Sequence, residues 1–262
     1  MARFDRLPEV TKNFLNGLPE VTKNLLIVNC LVFFATFALD ISNSGIDLNE
    51  WLGLHYWKGS DFHFYQFFTY MFMHSDFSHL FFNMFSLFML GHLVEMSLGS
   101  KFFLLFYLIT GVGAGVCQEL AWTWDLRGFE AEVLQILNAD PSLSEGLMVA
   151  PGNVVYSVDA LNEWRTQEFY NRFITVGASG SVFGLLAAIA MLYPNLPMYL
   201  MFIPIPIKAK YMMIGYGLME LFLGVKDFQG DNVAHFAHLG GALFGVLLIL
   251  LWRNSMKRNR QY

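Results

Sequence analysis

The chain is predicted to be an all-α membrane protein, a single bundle of six transmembrane helices. Three observations carry that reading. The 262 residues are 55% hydrophobic and only 14% charged, whereas soluble domains hold about 45–50% apolar and about 25% charged residues. Apolar runs approaching the ~20 residues that a spanning helix needs recur six times. His79 and Asn83 in the second run, Ser179 in the fourth and His238 in the sixth all lie toward the outer end of their runs.

In chain order the candidate spans are Leu25–Leu39, Phe77–Met96, Phe102–Leu120, Phe173–Leu192, Tyr211–Val225 and Val233–Trp252. The first and fifth are short and are expected to borrow flanking residues. Six spans return both termini to one side. Placing the termini in the cytoplasm puts 11 of the 16 Lys and Arg residues on that side, and an excess of basic residues marks the cytoplasmic face. The expected layout is a cytoplasmic segment over residues 1–22, a membrane domain over 23–252 and a basic cytoplasmic tail over 253–262.

The connections carry their own signals. LPEVTKN occurs at Leu7–Asn13 and again at Leu18–Asn24, and reads as a cytoplasmic interfacial segment. The first outer loop contains WLGLHYW and FHFYQFFTY, aromatic residues that suit the water–lipid boundary. The third outer loop, about 121–171, is long and polar, with Pro141 and Pro151 within it. FEAEVLQIL and VDALNEWRTQEFYNRF in that loop read as short surface helices.

Several classes are disfavoured. A net charge of −5 gives no reason to expect nucleic acid as a partner. Cys30 and Cys117 lie in apolar runs and make neither a disulfide framework nor a CxxC metal pattern. The first 24 residues lack the apolar core and cleavage site of a removable signal peptide.

Polar groups inside spans are expensive and so mark candidate sites. The fourth span opens with VGASGSVFG, in which Ser179 lies between Gly177 and Gly180. Those glycines let another helix or a substrate backbone approach the hydroxyl, although Gly180 and Gly184 also suit plain helix packing. The sixth span begins with VAHFAHLGG. Two spans separate His238 from Ser179, one inward and one returning, so the two side chains reach similar depth, as a nucleophile and its base must. Ala237, Gly241 and Gly245 form a small-residue face beside His238. His235, one turn nearer the outer surface, reads as a solvated residue at a cavity mouth, whose replacement by Ala should spare most activity. On the second span His79 and Asn83 share a helical face and could donate hydrogen bonds to an oxyanion. A metal held by His74, His79, His235 and His238 is disfavoured, because no HExxH occurs and no carboxylate or thiolate stands at ligand spacing; no cofactor is expected. Glu95, near the inner end of the second span, reads as a cap for buried backbone groups. Glu220 in the fifth span receives no role.

HLFFN, GHLVEMSLG, GASGSVFG and AHLGGALFG, in that order and on those spans, resemble the rhomboid intramembrane serine proteases. The resemblance covers about residues 20–252 and implies a six-helix rhomboid-like bundle. It implies Ser179 as nucleophile and His238 as base, with no acid completing a triad. It further implies an oxyanion held by the Ser179 N–H, His79 and Asn83, a loop-supporting Glu95, and Phe183 stacked on the base where some members carry Tyr. The usual Trp-Arg before the second span is Tyr65-Gln66 here, which puts one first-loop contact in question. The implied partners are transmembrane protein substrates and the bilayer, in the cell (inner) membrane, with the site open outward. Competing readings are a catalytically silent relative that binds spanning helices, and a transporter built on Glu95 and Glu220.

Overall fold

The computed structural model describes residues 17–42, 44–139, 148–150, 154–156, 170–200, 203–226 and 233–258. Six principal helices carry the fold: α1 (Glu20–Ile41), α2 (Phe77–Leu98), α3 (Ser100–Ala139), α4 (Ser179–Leu192), α5 (Ala209–Lys226) and α6 (His235–Arg258). Among the described residues, α1, α2, α3 up to Arg127, and α6 are long and apolar enough to cross a membrane. The chain is a multi-pass membrane protein. As expected, α1 and α5 extend past the apolar runs that mark them.

Each helix shows why it sits where it does. In α1 the buried residues Thr22, Leu25, Asn29 and Thr36 fall on one stripe, while Leu31, Phe34, Phe37 and Ile41 remain exposed. That is the signature of a helix with one face on a core and the other on lipid. In α4 the balance reverses, with 10 of its 14 residues buried. A helix apolar all round belongs at the centre of a bundle, and α4 packs against α3, α5 and α6.

Small residues set how closely these helices meet. A β-carbon on Gly241 would overlap the Gly180 carbonyl, one on Gly245 would press on the Gly184 backbone, and one on Gly180 would strike the Ala114 side chain. The face marked in the sequence by Ala237, Gly241 and Gly245 is therefore where α6 lies against α4.

Glu95 acts as a clamp at the end of the bundle remote from Ser179. It accepts hydrogen bonds from the Val21 and Thr22 amides (3.1 and 2.7 Å), the Thr22 hydroxyl (2.7 Å) and the Ser100 hydroxyl (2.7 Å). Its carboxylate satisfies the open N–H groups at the start of α1 and ties α1 to the α2–α3 corner. That corner is a single residue, Gly99, with φ +83°, a conformation that glycine adopts without steric cost. Midway along α2, a π-helical turn at Leu87–Gly91 faces α1 near Thr22.

Two expectations are corrected. The fourth helix starts at Ser179 rather than Phe173. Ile174–Thr175 form strand β4, antiparallel to β1 (Leu54–His55), and Gly177 at φ +128° breaks the backbone just before the helix. FEAEVLQIL is the final part of the long α3 and not a separate surface helix. The polar loop after it contains a strand pair, β2 (Met148–Ala150) with β3 (Val154–Tyr156). The first LPEVTKN copy and most of VDALNEWRTQEFYNRF lie outside the described residues.

Candidate active site

Ser179 is the first residue of α4. Fourteen residues rise about 21 Å, well short of the ~30 Å hydrocarbon thickness of a bilayer. An extended segment ending at Gly177 leads into α4. Several bonds hold that segment. The Tyr56 amide donates to the Phe173 carbonyl (2.9 Å) and the Gly177 amide to the Tyr70 carbonyl (2.9 Å), while the Tyr70 hydroxyl donates to Gly111 O (2.6 Å). The first loop and α3 thus hold the approach to Ser179 on both sides.

Gln66, which stands where the resemblance implied an Arg, is buried and ties down the first-loop backbone. Its Oε1 accepts from the His55 and His63 amides (3.3 and 3.0 Å), and its Nε2 donates to the Asp61 carbonyl (2.8 Å) and more weakly to Trp51 (3.4 Å). The loop whose anchoring the sequence left in question is held by an amide instead of a guanidinium.

His238 comes from the first turn of α6. Its Nε2 lies 2.8 Å from Ser179 Oγ, the spacing of a hydroxyl donating to an imidazole. The Phe183 ring, one turn along α4 from Ser179, stacks on the imidazole with centroids 4.4 Å apart and planes 8° from parallel. Ser179 is partly exposed, whereas His238 is nearly buried. A face-on ring at that separation excludes water from one side of the base and fixes its rotation.

The second helix supplies the opposite wall. Asp76 caps α2, its Oδ1 accepting from the His79 amide (2.9 Å) and the Ser78 hydroxyl (2.5 Å), as an N-cap aspartate should. Hydrogen bonds from Ser78, the His79 amide and Ser75 hold the Asp76 carboxyl well below the usual carboxylate range. The Ser75 hydroxyl lies 3.1 Å from His79 Nδ1. That hydroxyl donates to Asp76 Oδ2 (2.9 Å), and the other ring nitrogen of His79, Nε2, is turned toward Gly177. A β-carbon on Gly177 would collide with that nitrogen, so glycine is required both for its positive φ and for the space His79 occupies. Asn83 is buried one turn below, its amide donating to the His79 carbonyl (3.1 Å).

Glu220 was unassigned from the sequence and proves to be part of this cluster. It is buried on α5, with Oε2 2.6 Å from His235 Nδ1 and 3.0 Å from His238 Nδ1. The first contact is a directed hydrogen bond. The second is close, but its angle falls short of one, so it is an electrostatic contact. Two expectations change as a result. An acid does stand behind His238, and His235 is buried against Glu220 rather than solvated at a cavity mouth. Spacing along one helix could not reveal this, because the carboxylate and the imidazoles lie on different helices. Its only sequence signal was a carboxylate in an otherwise apolar span. Among the described residues the group with ligand-type atoms within 4.8 Å of one another is Glu220, His235 and His238, which differs from the four-histidine set weighed and disfavoured from the sequence. Contacts within the cluster account for that grouping.

A family model described as the Rhomboid domain matches residues 61–123 and 146–255. Rhomboid-like protein 11, chloroplastic, from Arabidopsis thaliana is 30% identical over 195 residues, covering 71% of this chain and 52% of that protein. The chain thus spans about half the length of the curated relative it matches.

Proposed function

The chain belongs to the rhomboid family, and from that premise we propose that it is an intramembrane serine endopeptidase that cuts transmembrane proteins. The observation that carries this reading is the 2.8 Å contact between Ser179 Oγ and His238 Nε2 beneath a stacked Phe183. In the proposed reaction His238 Nε2 takes the Ser179 proton as Oγ attacks a peptide carbonyl. The resulting oxyanion is held by the Ser179 N–H at the start of α4, by His79 and by Asn83. Donors aimed at developing charge are commonly the largest single contribution to such a step, about 10²–10³ in rate for one donor. His238 then passes its proton to the leaving amine. A water, activated by the same imidazole, releases the acyl group from Ser179.

Water must reach Ser179, and the short α4 supports that. A nucleophile at the sunken start of a short helix faces the loop end of the bundle, where polar groups from α2, α4 and α6 line the approach and lower the cost of keeping them in the membrane. We assign this end to the outer face of the inner membrane, with both termini cytoplasmic, residues 1–22 and 253–262 outside the membrane domain, and all six principal helices crossing. The excess of Lys and Arg on the terminal side supports this orientation. A peptide bond in a regular helix is shielded by its own hydrogen bonds, so the expected substrates are spanning segments with weak helical propensity near the cut. Entry beside α5 is consistent with its many exposed apolar residues, among them Ile214, Leu218 and Phe222. The family resemblance further implies that Gly224–Asn232 caps the site, and most of that segment lies outside the described residues.

The test is cleavage of a single-span reporter in reconstituted vesicles. Wild-type protein should cut it, and Ser179→Ala should reduce turnover at least 10³-fold while folding as wild type. Normal cleavage by Ser179→Ala would overturn the reading. A folded wild type that binds spanning helices without cutting them would favour the silent relative instead.

A further inference from the structure

The carboxylate behind His238 is unusual enough to ask what it does. Glu220 lies near the end of α5, where Gly224, one turn on, lets the start of α6 approach closely at His235 and Phe236. The glycine and the glutamate therefore share the face of α5 that meets α6. Glu220 is buried there, and an ionised carboxylate is costly in such a place unless it is paired. The contacts it makes run to two imidazoles, both to Nδ1 and both through Oε2.

We propose that Glu220 and His235 form a positioning pair for His238, so that the base works within a four-residue chain of His235, Glu220, His238 and Ser179. The inference rests on the serine-protease reading and deepens it. The division of labour follows from the geometry. His235 donates its Nδ1 hydrogen to Glu220 Oε2 at 2.6 Å, which fixes the carboxylate. The fixed oxygen sits 3.0 Å from His238 Nδ1 and favours the tautomer with its proton on that nitrogen. Nε2 is then left with the lone pair that must accept from Ser179 Oγ. When His238 takes the serine proton, Glu220 faces the imidazolium and balances its charge without moving. Phe183 holds the ring from its flat side while Glu220 sets its rotation from the edge. Glu220 touches neither substrate nor reacting atoms; it acts through His238. Among the described residues, His79 on α2 acts electrostatically on His238 and Tyr216, one turn before Glu220 on α5, on Glu220, and neither makes a hydrogen bond to His238 Nδ1.

A carboxamide in place of a triad carboxylate favours the wrong tautomer and can cost about 10⁴ in rate. The off-line contact here sets a smaller expectation. Glu220→Gln should lower kcat about 10²-fold with KM within about threefold of wild type, when kcat is counted per site labelled to completion by a fluorophosphonate. His235→Ala should lower kcat about tenfold, against the sequence-based expectation that it is spared. His235→Asn, whose Nδ2 sits near the place of the imidazole Nδ1, should restore it to within about threefold of wild type. A group that merely packs would not discriminate Asn from Ala in this way. If Glu220→Gln does not fold, as its thermal unfolding will show, the two His235 variants decide alone. Glu220→Gln with wild-type kcat, or His235→Asn no better than His235→Ala, would overturn the proposal. A wild type that neither labels at Ser179 nor cuts the reporter would instead overturn the protease reading on which it rests.

Discussion

Phe183 shows how much one side chain can contribute without touching a substrate. Its ring is close to parallel with the His238 imidazole at 4.4 Å, so it restricts the base to rotation in its own plane, where Ser179 and Glu220 meet its two nitrogens. Aromatic pairs of this kind contribute about 0.5–1.5 kcal/mol beyond the area they bury. Phe183→Leu should therefore lower kcat about 2- to 10-fold with little change in folding, and Phe183→Tyr should retain activity; steady-state kinetics on the reporter check both. The stacking of Phe183 on the base was expected only through the family resemblance, not from the spacing of residues. The partner of His235 was not legible in the sequence, because a carboxylate on α5 acquires meaning only once α5 and α6 are side by side.

Among the elements, the α4–α6 contact decides whether Ser179 and His238 meet at all. Gly241 lies directly over the Gly180 carbonyl, and Gly245 over Gly184. The obstruction to a larger residue at Gly241 is a backbone atom, which cannot swing aside as a side-chain tip can. Overpacking of a tight contact commonly costs about 1–3 kcal/mol. Gly241→Ala should lower the unfolding midpoint by several degrees and reduce cleavage, since both helices carry a member of the pair. Gly217 has no atom near a prospective β-carbon, so Gly217→Ala on α5 should be tolerated in the same assay. The four-residue spacing of small residues made this contact legible in the sequence. The start of α4 was not legible, because FITVGASGSVF is continuous in hydropathy. Only the pairing of Ile174 with His55, far away in the chain, turns its first residues into a strand.

For the molecule as a whole, function depends on a short helix surrounded by longer ones. Glu95 at one end joins α1 to the α2–α3 corner, and the strands and bonds around Tyr70 and Gln66 brace the segment leading to Ser179 at the other. Between them α4 stays nearly enclosed, and its start presents a hydroxyl and open N–H groups, met by the His238 imidazole from α6. The broad plan was legible because lipid makes burial of polar groups so costly that each one stands out in an apolar run. The central claim is that His238 activates Ser179, and labelling the reconstituted protein with a fluorophosphonate, followed by mass spectrometry of the modified peptide, tests it most directly. The account predicts one adduct, on Ser179, formed by wild type and lost in His238→Ala, which should remain folded. Labelling of Ser179 at an undiminished rate in His238→Ala, or an adduct at another serine, would contradict it.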